Sequence, residues 1–163
     1  MDIIWAPWRL EYVKAPHNKD AEDKCIFCEF PLKNEDPKYH IFLRRERCFA
    51  VLNRYPYNNG HLLIAPFKHV AELTDLSDEI VLDVMTAVRD CVEAQKKLIH
   101  PHGFNIGLNI GSAAGAGIAD HIHWHIVPRW AGDTNFMPVI GDTKIIPQSL
   151  KQMHQLLSAH FSK

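Results

Sequence analysis

At 163 residues, 47% apolar and 23% charged, the chain has the size and composition of one domain, or one domain with an arm, with room for a real core. Its net charge of −1 excludes the clustered positive footprint that duplex nucleic acid requires, and no apolar stretch approaches the roughly 20 residues of a membrane span. Four cysteines, two of them as Cys25-Ile26-Phe27-Cys28, suit a reducing compartment better than a disulfide frame. The start, Met1 to Arg9, lacks the basic and apolar regions of a signal peptide, so a cytoplasmic location is expected.

Residues 1–24 read as an aromatic, proline-containing arm with a polar linker, and residues 25–163 as a single domain. Trp5, Trp8 and Tyr12 in the arm need a surface to bury them, either the body of the domain or a second subunit. Short β-type runs follow at Ile41–Arg44, Cys48–Leu52 and His61–Pro66, the last two separated by a loop of strong turn chemistry, Asn53 to Gly60. Leu76–His100 is the clearest helix. Ser77 is placed to cap it, Ile80, Val84, Ala87, Cys91, Ala94 and Leu98 fall at helical spacing, and Pro101 stops it. Phe104–Ile110 reads as a strand and 111–117 as a glycine-rich loop. The run from His121 to Pro128 is a further strand, and a short C-terminal helix starts near Pro147. Strands joined by hairpins, with two helices set apart, predict an α+β fold on an antiparallel sheet.

The most informative segment is His121-Ile122-His123-Trp124-His125-Ile126-Val127-Pro128. In a strand, alternate side chains share a face, so three imidazoles project from one side while Ile122, Trp124 and Ile126 cover the other. Side chains two apart sit roughly 6–7 Å from one another, close enough for neighbouring rings to share one phosphate-sized ligand. Imidazole serves as nucleophile, acid, base or metal ligand near neutral pH. The central His123 is the candidate nucleophile, forming a phosphoramidate on phosphorus, and His125 the candidate donor to phosphoryl oxygens. No acidic partner for the triad is obvious in the sequence, so a backbone carbonyl is expected to orient His123. The loop Gly111-Ser112-Ala113-Ala114-Gly115-Ala116-Gly117 leads into this strand, and its small residues suit a backbone cradle for an anion.

Two thiols at Cys-x-x-Cys spacing form a zinc half-site. Cys48 and Cys91 occupy apolar periodic positions and read as core. His61, at a Gly-His step opening a strand, reads as a hydrogen-bonded structural histidine. Trp130 and Phe136 suit either stacking on a base or burial at a subunit interface, with the interface favoured. His17, His40, His100, His102, His154 and His160 give no reason to be singled out.

The signature His-x-His-x-His-x-x with apolar x resembles the histidine triad (HIT) superfamily. The resemblance covers most of the chain. Residues 53–62, 100–105 and 129–136, with the start Trp5-Ala6-Pro7-Trp8-Arg9, look like its fragile-histidine-triad side and, more narrowly, bacterial diadenosine tetraphosphate phosphorylases. It implies an antiparallel sheet of about five strands with one long and one C-terminal helix. It implies a homodimer binding an adenine nucleotide or dinucleoside polyphosphate, and adenylyl transfer through His123, with His121 and His125 completing the catalytic set. Phosphate (phosphorylase) or water (hydrolase) is the acceptor. Carried over by position, Asn53 contacts the ribose or its surroundings, and Asn109, Gly111, Ser112, Gly115 and His125 the phosphates. Ala116 and Gly117 stand where eukaryotic relatives carry Gln and a hydroxyl residue, which removes leaving-group contacts there. A structural zinc is implied on Cys25, Cys28, His69 and His121, with no catalytic metal. The competing readings are a nucleoside phosphoramidase, a nucleotide-binding signalling protein with incidental catalysis, and a metalloenzyme holding zinc on all three triad histidines.

Overall fold

Five strands, β1 (Ile41–Arg44), β2 (Cys48–Leu52), β3 (Leu62–Pro66), β4 (Gly103–Leu108) and β5 (Trp124–Arg129), form one antiparallel sheet in the order β1-β2-β3-β5-β4. The computed structural model describes residues 25–134 and 145–162. The expected arm, with Trp5, Trp8 and Tyr12, and Phe136 lie outside the described residues. The α+β architecture matches the expectation from the hairpin-rich sequence.

Alternation splits the sheet into two apolar layers. Cys48, Ala50 and Leu52 of β2, Leu62 and Ile64 of β3, and Ile122, Trp124 and Ile126 face a core shared with helices α3 (Asp78–Ile99) and α4 (Leu150–Phe161). Phe49 and Val51 of β2 and Leu63 and Ala65 of β3 face the other way, against Phe27 of helix α1 (Ile26–Leu32). With both faces covered, every residue of β2 and β3 is buried, which explains their unbroken apolar runs. Cys48 and Cys91 are fully buried in the helix-side core, where desolvation pushes both thiols up to about 12.

Several expected boundaries change. The strand read from His121 to Pro128 joins the ladder only at Trp124. Ile122 N–H donates instead to the Val70 carbonyl at 2.7 Å, because β4 and β3 both begin their pairing with β5 at Trp124. β3 starts at Leu62 rather than His61, whose N–H closes the preceding turn on the Asn58 carbonyl. β4 runs from Gly103, paired with Arg129, to Leu108 rather than Phe104–Ile110. Helix α3 is Asp78–Ile99, not Leu76–His100. Ser77 holds the N-cap position, but its side chain makes no cap bond and pairs with the Glu79 carboxylate instead. In α4, Pro147 lies outside the helix; Ser149 caps it through a reciprocal capping box with Gln152. The short helices α1 and α2 (Asp36–Tyr39) are not predicted from the sequence, for neither shows helical periodicity.

The loop 53–60 is pinned from several sides. Asn58 Nδ2 donates to the Pro128 carbonyl at 3.0 Å and to Asp133 at 2.7 Å; Asn59 Nδ2 donates to Gln148 Oε1 at 2.7 Å. The Gly60 carbonyl accepts from Nε2 of Gln95, a fully buried residue of α3. Gly60 itself adopts φ +70°, where a Cβ is strained.

Candidate active site

Cys25 stands at the N-cap of α1 and Cys28 in its first turn, so both sulfurs leave the same helix end. His69, just after β3, and His121, just before β5, complete a group whose ligand atoms all lie within 4.8 Å of one another. Cys25 Sγ lies 3.2 Å from His121 Nδ1, and Cys28 Sγ 3.3 Å from His69 Nδ1. Cys28 Sγ is 3.6 Å from His121 Nδ1, and the two Nδ1 atoms are 3.2 Å apart. A tetrahedral ion with bonds of about 2.0–2.3 Å separates its ligand atoms by about 3.3–3.8 Å, and the four separations of 3.2–3.6 Å just given lie close to that range. His121 presents the right nitrogen. Its Nε2–H donates to the Pro66 carbonyl at 2.9 Å, which leaves the lone pair on Nδ1, facing the sulfurs. Burial pushes the Cys25 thiol up to about 11, so a thiolate at Cys25 calls for a cation beside it.

His123 is buried, 5% exposed, and its Nδ1–H donates to the His121 carbonyl at 2.8 Å. The expected backbone orientation is therefore present, and the Nε2 lone pair is the reactive one. Desolvation lowers the His123 pKa, outweighing the opposite effect of that hydrogen bond, so the ring is held neutral. Phe27 packs at 4.8 Å between ring centroids and His125 at 5.0 Å.

The protonation of His125 follows from the chain behind it. Tyr57 N–H donates to His61 Nδ1 at 3.0 Å, and Asn53 Nδ2 approaches the same atom at 3.2 Å. The His61 hydrogen is thus on Nε2, which donates to His125 Nδ1 at 2.9 Å. His125 consequently carries its hydrogen on Nε2, the tautomer that a donor to phosphoryl oxygens needs. Burial, then the neighbouring His125 and His123, pushes the His61 pKa down to about 3. His61 is hydrogen-bonded, as expected, but its partner is a triad histidine. The Gly-His step alone carries no sign of that. Tyr57 lies parallel to His125, with ring centroids 5.8 Å apart and an angle of 7°.

The three triad rings do not share one focus. His121 turns both nitrogens to Pro66 and the thiols, His123 turns Nδ1 to a carbonyl, and His125 turns Nδ1 to His61. Of the adjacent pairs expected to be able to share one ligand, His121–His123 is closed off, because both His121 nitrogens are engaged, and His123–His125 is left. Asn53 is engaged within its own loop, its Oδ1 accepting from Tyr55 N–H at 2.9 Å. Asn109 lines a groove beside His125. Gly111 and Gly115 adopt φ +77° and +79°, flanking a 3₁₀ turn over Ser112–Ala114, where Ala114 N–H closes on the Gly111 carbonyl. Trp130 Nε1–H donates to the His100 carbonyl at 3.2 Å.

Residues 34–132 match the family model described as the HIT domain. The chain belongs to the HIT family. Among curated members, it is 39% identical over 98% of its length to the AP-4-A phosphorylase of Mycobacterium tuberculosis, covering 84% of that protein. It is also 32% identical over 78% of its length to an adenosine 5'-monophosphoramidase of Saccharomyces cerevisiae, covering 75% of it. Among solved HIT structures, a zinc-bound histidine triad protein from Mycobacterium smegmatis superposes with a TM-score of 0.69 at 26% identity, over 85% of this chain and 94% of that one. The chain is an enzyme of this family.

Proposed function

We propose that the protein is a nucleotidyl transferase acting on dinucleoside polyphosphates of the diadenosine tetraphosphate type. His123 Nε2 attacks the α-phosphorus, forming a P–N bond as the P–O bond to the remaining nucleoside polyphosphate breaks and that group leaves with the electron pair. An oxygen of inorganic phosphate then attacks the same phosphorus, releasing His123 and a nucleoside diphosphate; water in that role gives the monophosphate. His125 Nε2–H is the donor to the phosphoryl oxygens. The observation that carries this reading is the bond from His123 Nδ1–H to the His121 carbonyl, which aims a neutral Nε2 lone pair. The likeness to the mycobacterial phosphorylase favours phosphate as acceptor. Asn53, Asn109, Gly111, Ser112 and Gly115 are the proposed nucleotide contacts beside His125. A phosphoramidase reading uses the same intermediate on a P–N bond, and the yeast relative supports it.

Cys25, Cys28, His69 and His121 would hold a structural zinc, whose binding adds folding free energy directly. A cytoplasmic homodimer is the proposed assembly. It is supported by the exposed apolar Leu82 and Met85 on α3 and by the position of β4 at the end of the strand order. Residues 25–163 act in it as one domain and 1–24 as an arm.

Mass spectrometry after brief incubation with diadenosine tetraphosphate tests the reaction. An adenylyl adduct on His123 that accumulates without phosphate and drains to a diphosphate with it is the expected result. Turnover with no trappable adduct under any condition would overturn the covalent route.

A further inference from the structure

The buried face of α3 carries a residue that packing alone does not explain. Gln95 follows Ala94 and stands one helical turn after Cys91; like both of them it is fully buried. Its Nε2–H donates to the Gly60 carbonyl, while its Oε1 is buried without a hydrogen-bond partner among the described residues. An unpaired buried amide oxygen costs stability. The residue is therefore accounted for by the bond it makes rather than by the space it fills.

That bond holds the peptide unit leading into His61. Gln95 fixes the carbonyl of this unit, and the Asn58 carbonyl fixes its N–H, the His61 N–H, at 3.2 Å. The side chains of Asn58 and Asn59 tie down the loop ahead of Gly60 and do not reach this peptide. Glycine permits the close approach, for a Cβ at position 60 would lie 3.0 Å from Gln95 Nε2. Beyond the peptide, His61 Nε2–H donates to His125 Nδ1 at 2.9 Å. Gln95 comes from the helix that backs the sheet, whereas His125 lies on the face bearing the chemistry. The Gln95 amide, the Gly60–His61 peptide and the His61 ring thus link the two sides.

We infer that Gln95 is a positioning residue: from behind the sheet it places the His61 ring so that His125 keeps its hydrogen on Nε2, toward the phosphoryl oxygens. Its effect on the reaction rests on the proposed transfer through His123. Without the Gln95 donor the Gly60–His61 peptide is free to turn, and His61 Nε2 draws away from His125 Nδ1. His125 then populates both neutral tautomers, one of which has no donor on Nε2. Small displacements of this kind act on the chemical step even when they start far from it. Ground-state binding is spared, because Gln95 is closed off from solvent and touches no substrate.

Gln95→Met keeps the length of the side chain and removes the donor. Long-range proton–nitrogen correlation spectra of the wild-type protein should show a single Nε2–H tautomer at both His61 and His125. In Gln95→Met, His125 should show both tautomers. Its kcat for diadenosine tetraphosphate should fall by roughly tenfold, less than the 10²–10³ that losing a whole oxyanion donor costs, with KM within about threefold of the wild type. Gln95→Leu is read the same way if the methionine variant does not fold. If neither reaches the wild-type circular dichroism signal, Gln95 is a structural residue and the proposal is overturned. A mixture of tautomers at His125 in the wild type overturns it as well, as does a folded variant whose kcat or His125 tautomer is unchanged or whose loss lies in KM. A wild-type protein that does not consume the dinucleotide defeats the transfer reading alone, and the variant spectra still decide whether Gln95 sets the tautomer.

Discussion

His123 Nδ1–H donates to the main-chain oxygen of His121, so the candidate nucleophile is held by a residue of the thiol–imidazole cluster. The two groups are separate in chemistry and joined in geometry. Whatever fixes His121 also fixes the direction of the His123 lone pair.

Replacing His123 with Ala or Asn should reduce nucleotidyl transfer by at least about a thousandfold, because the covalent route is deleted. Nucleotide affinity should change far less, since few ground-state contacts are lost. Steady-state rates with a binding isotherm separate the two. Activity within about tenfold of the wild type, a barrier change of only about 1.4 kcal/mol, would end the assignment.

Elemental analysis should find one zinc per chain. Cys25→Ser should lower both the metal content and the melting temperature, the latter by more than about 4 °C, the shift that roughly 1–2 kcal/mol produces in a domain of this size. An unchanged zinc content in that variant would remove Cys25 from the ligand set.

Acid should destabilise the protein partly through His61. In the unfolded chain this imidazole takes up a proton near pH 6.5, whereas in the fold it stays neutral down to about 3. The unfolded state therefore binds more protons across that window. Stability is full above pH 6.5 and falls as pH drops toward 3, by up to about 1.4 kcal/mol per pH unit for this group. His61→Asn should flatten the dependence while lowering stability at pH 7. Urea midpoints at pH 7, 5.5 and 4.5 measure it, and identical slopes for the two proteins would show that His61 does not contribute.

Gly60→Ala should cost about 1–3 kcal/mol. The residue sits at φ +70°, and a Cβ there would lie 2.9 Å from Ile99 Cδ1 and 3.0 Å from Gln95 Nε2. Chemical denaturation gives the number directly. A loss under about 0.5 kcal/mol, the range of an ordinary surface substitution, would mean that the turn relaxes without strain.

Features with a strong local period were legible in the sequence. β1 and β2 have the bounds their apolar runs suggest, and α3 lies within two residues of its periodic stretch. The alternation at 121–126 correctly separates Ile122, Trp124 and Ile126 from the histidines. It carries no information about which nitrogen each ring commits, because that depends on Pro66, Cys25 and His61, residues far away in the chain. α1 was hidden because seven residues with Pro31 inside show no helical period. His61 and Tyr57 were hidden for a different reason: their partner His125 comes 64 and 68 positions later, and only the β3–β5 pairing brings them together.

The sheet is supported unequally. Among the described residues, α3 and α4 lock one face with a continuous apolar layer, whereas the face bearing the chemistry rests on the smaller group around Phe27. Local opening free energies track buried apolar contacts, so the α1 side should exchange its amide hydrogens sooner than the helix-backed side. Warming should then silence the enzyme before it melts, and an activity assay and a circular dichroism trace taken on the same sample will give different midpoints.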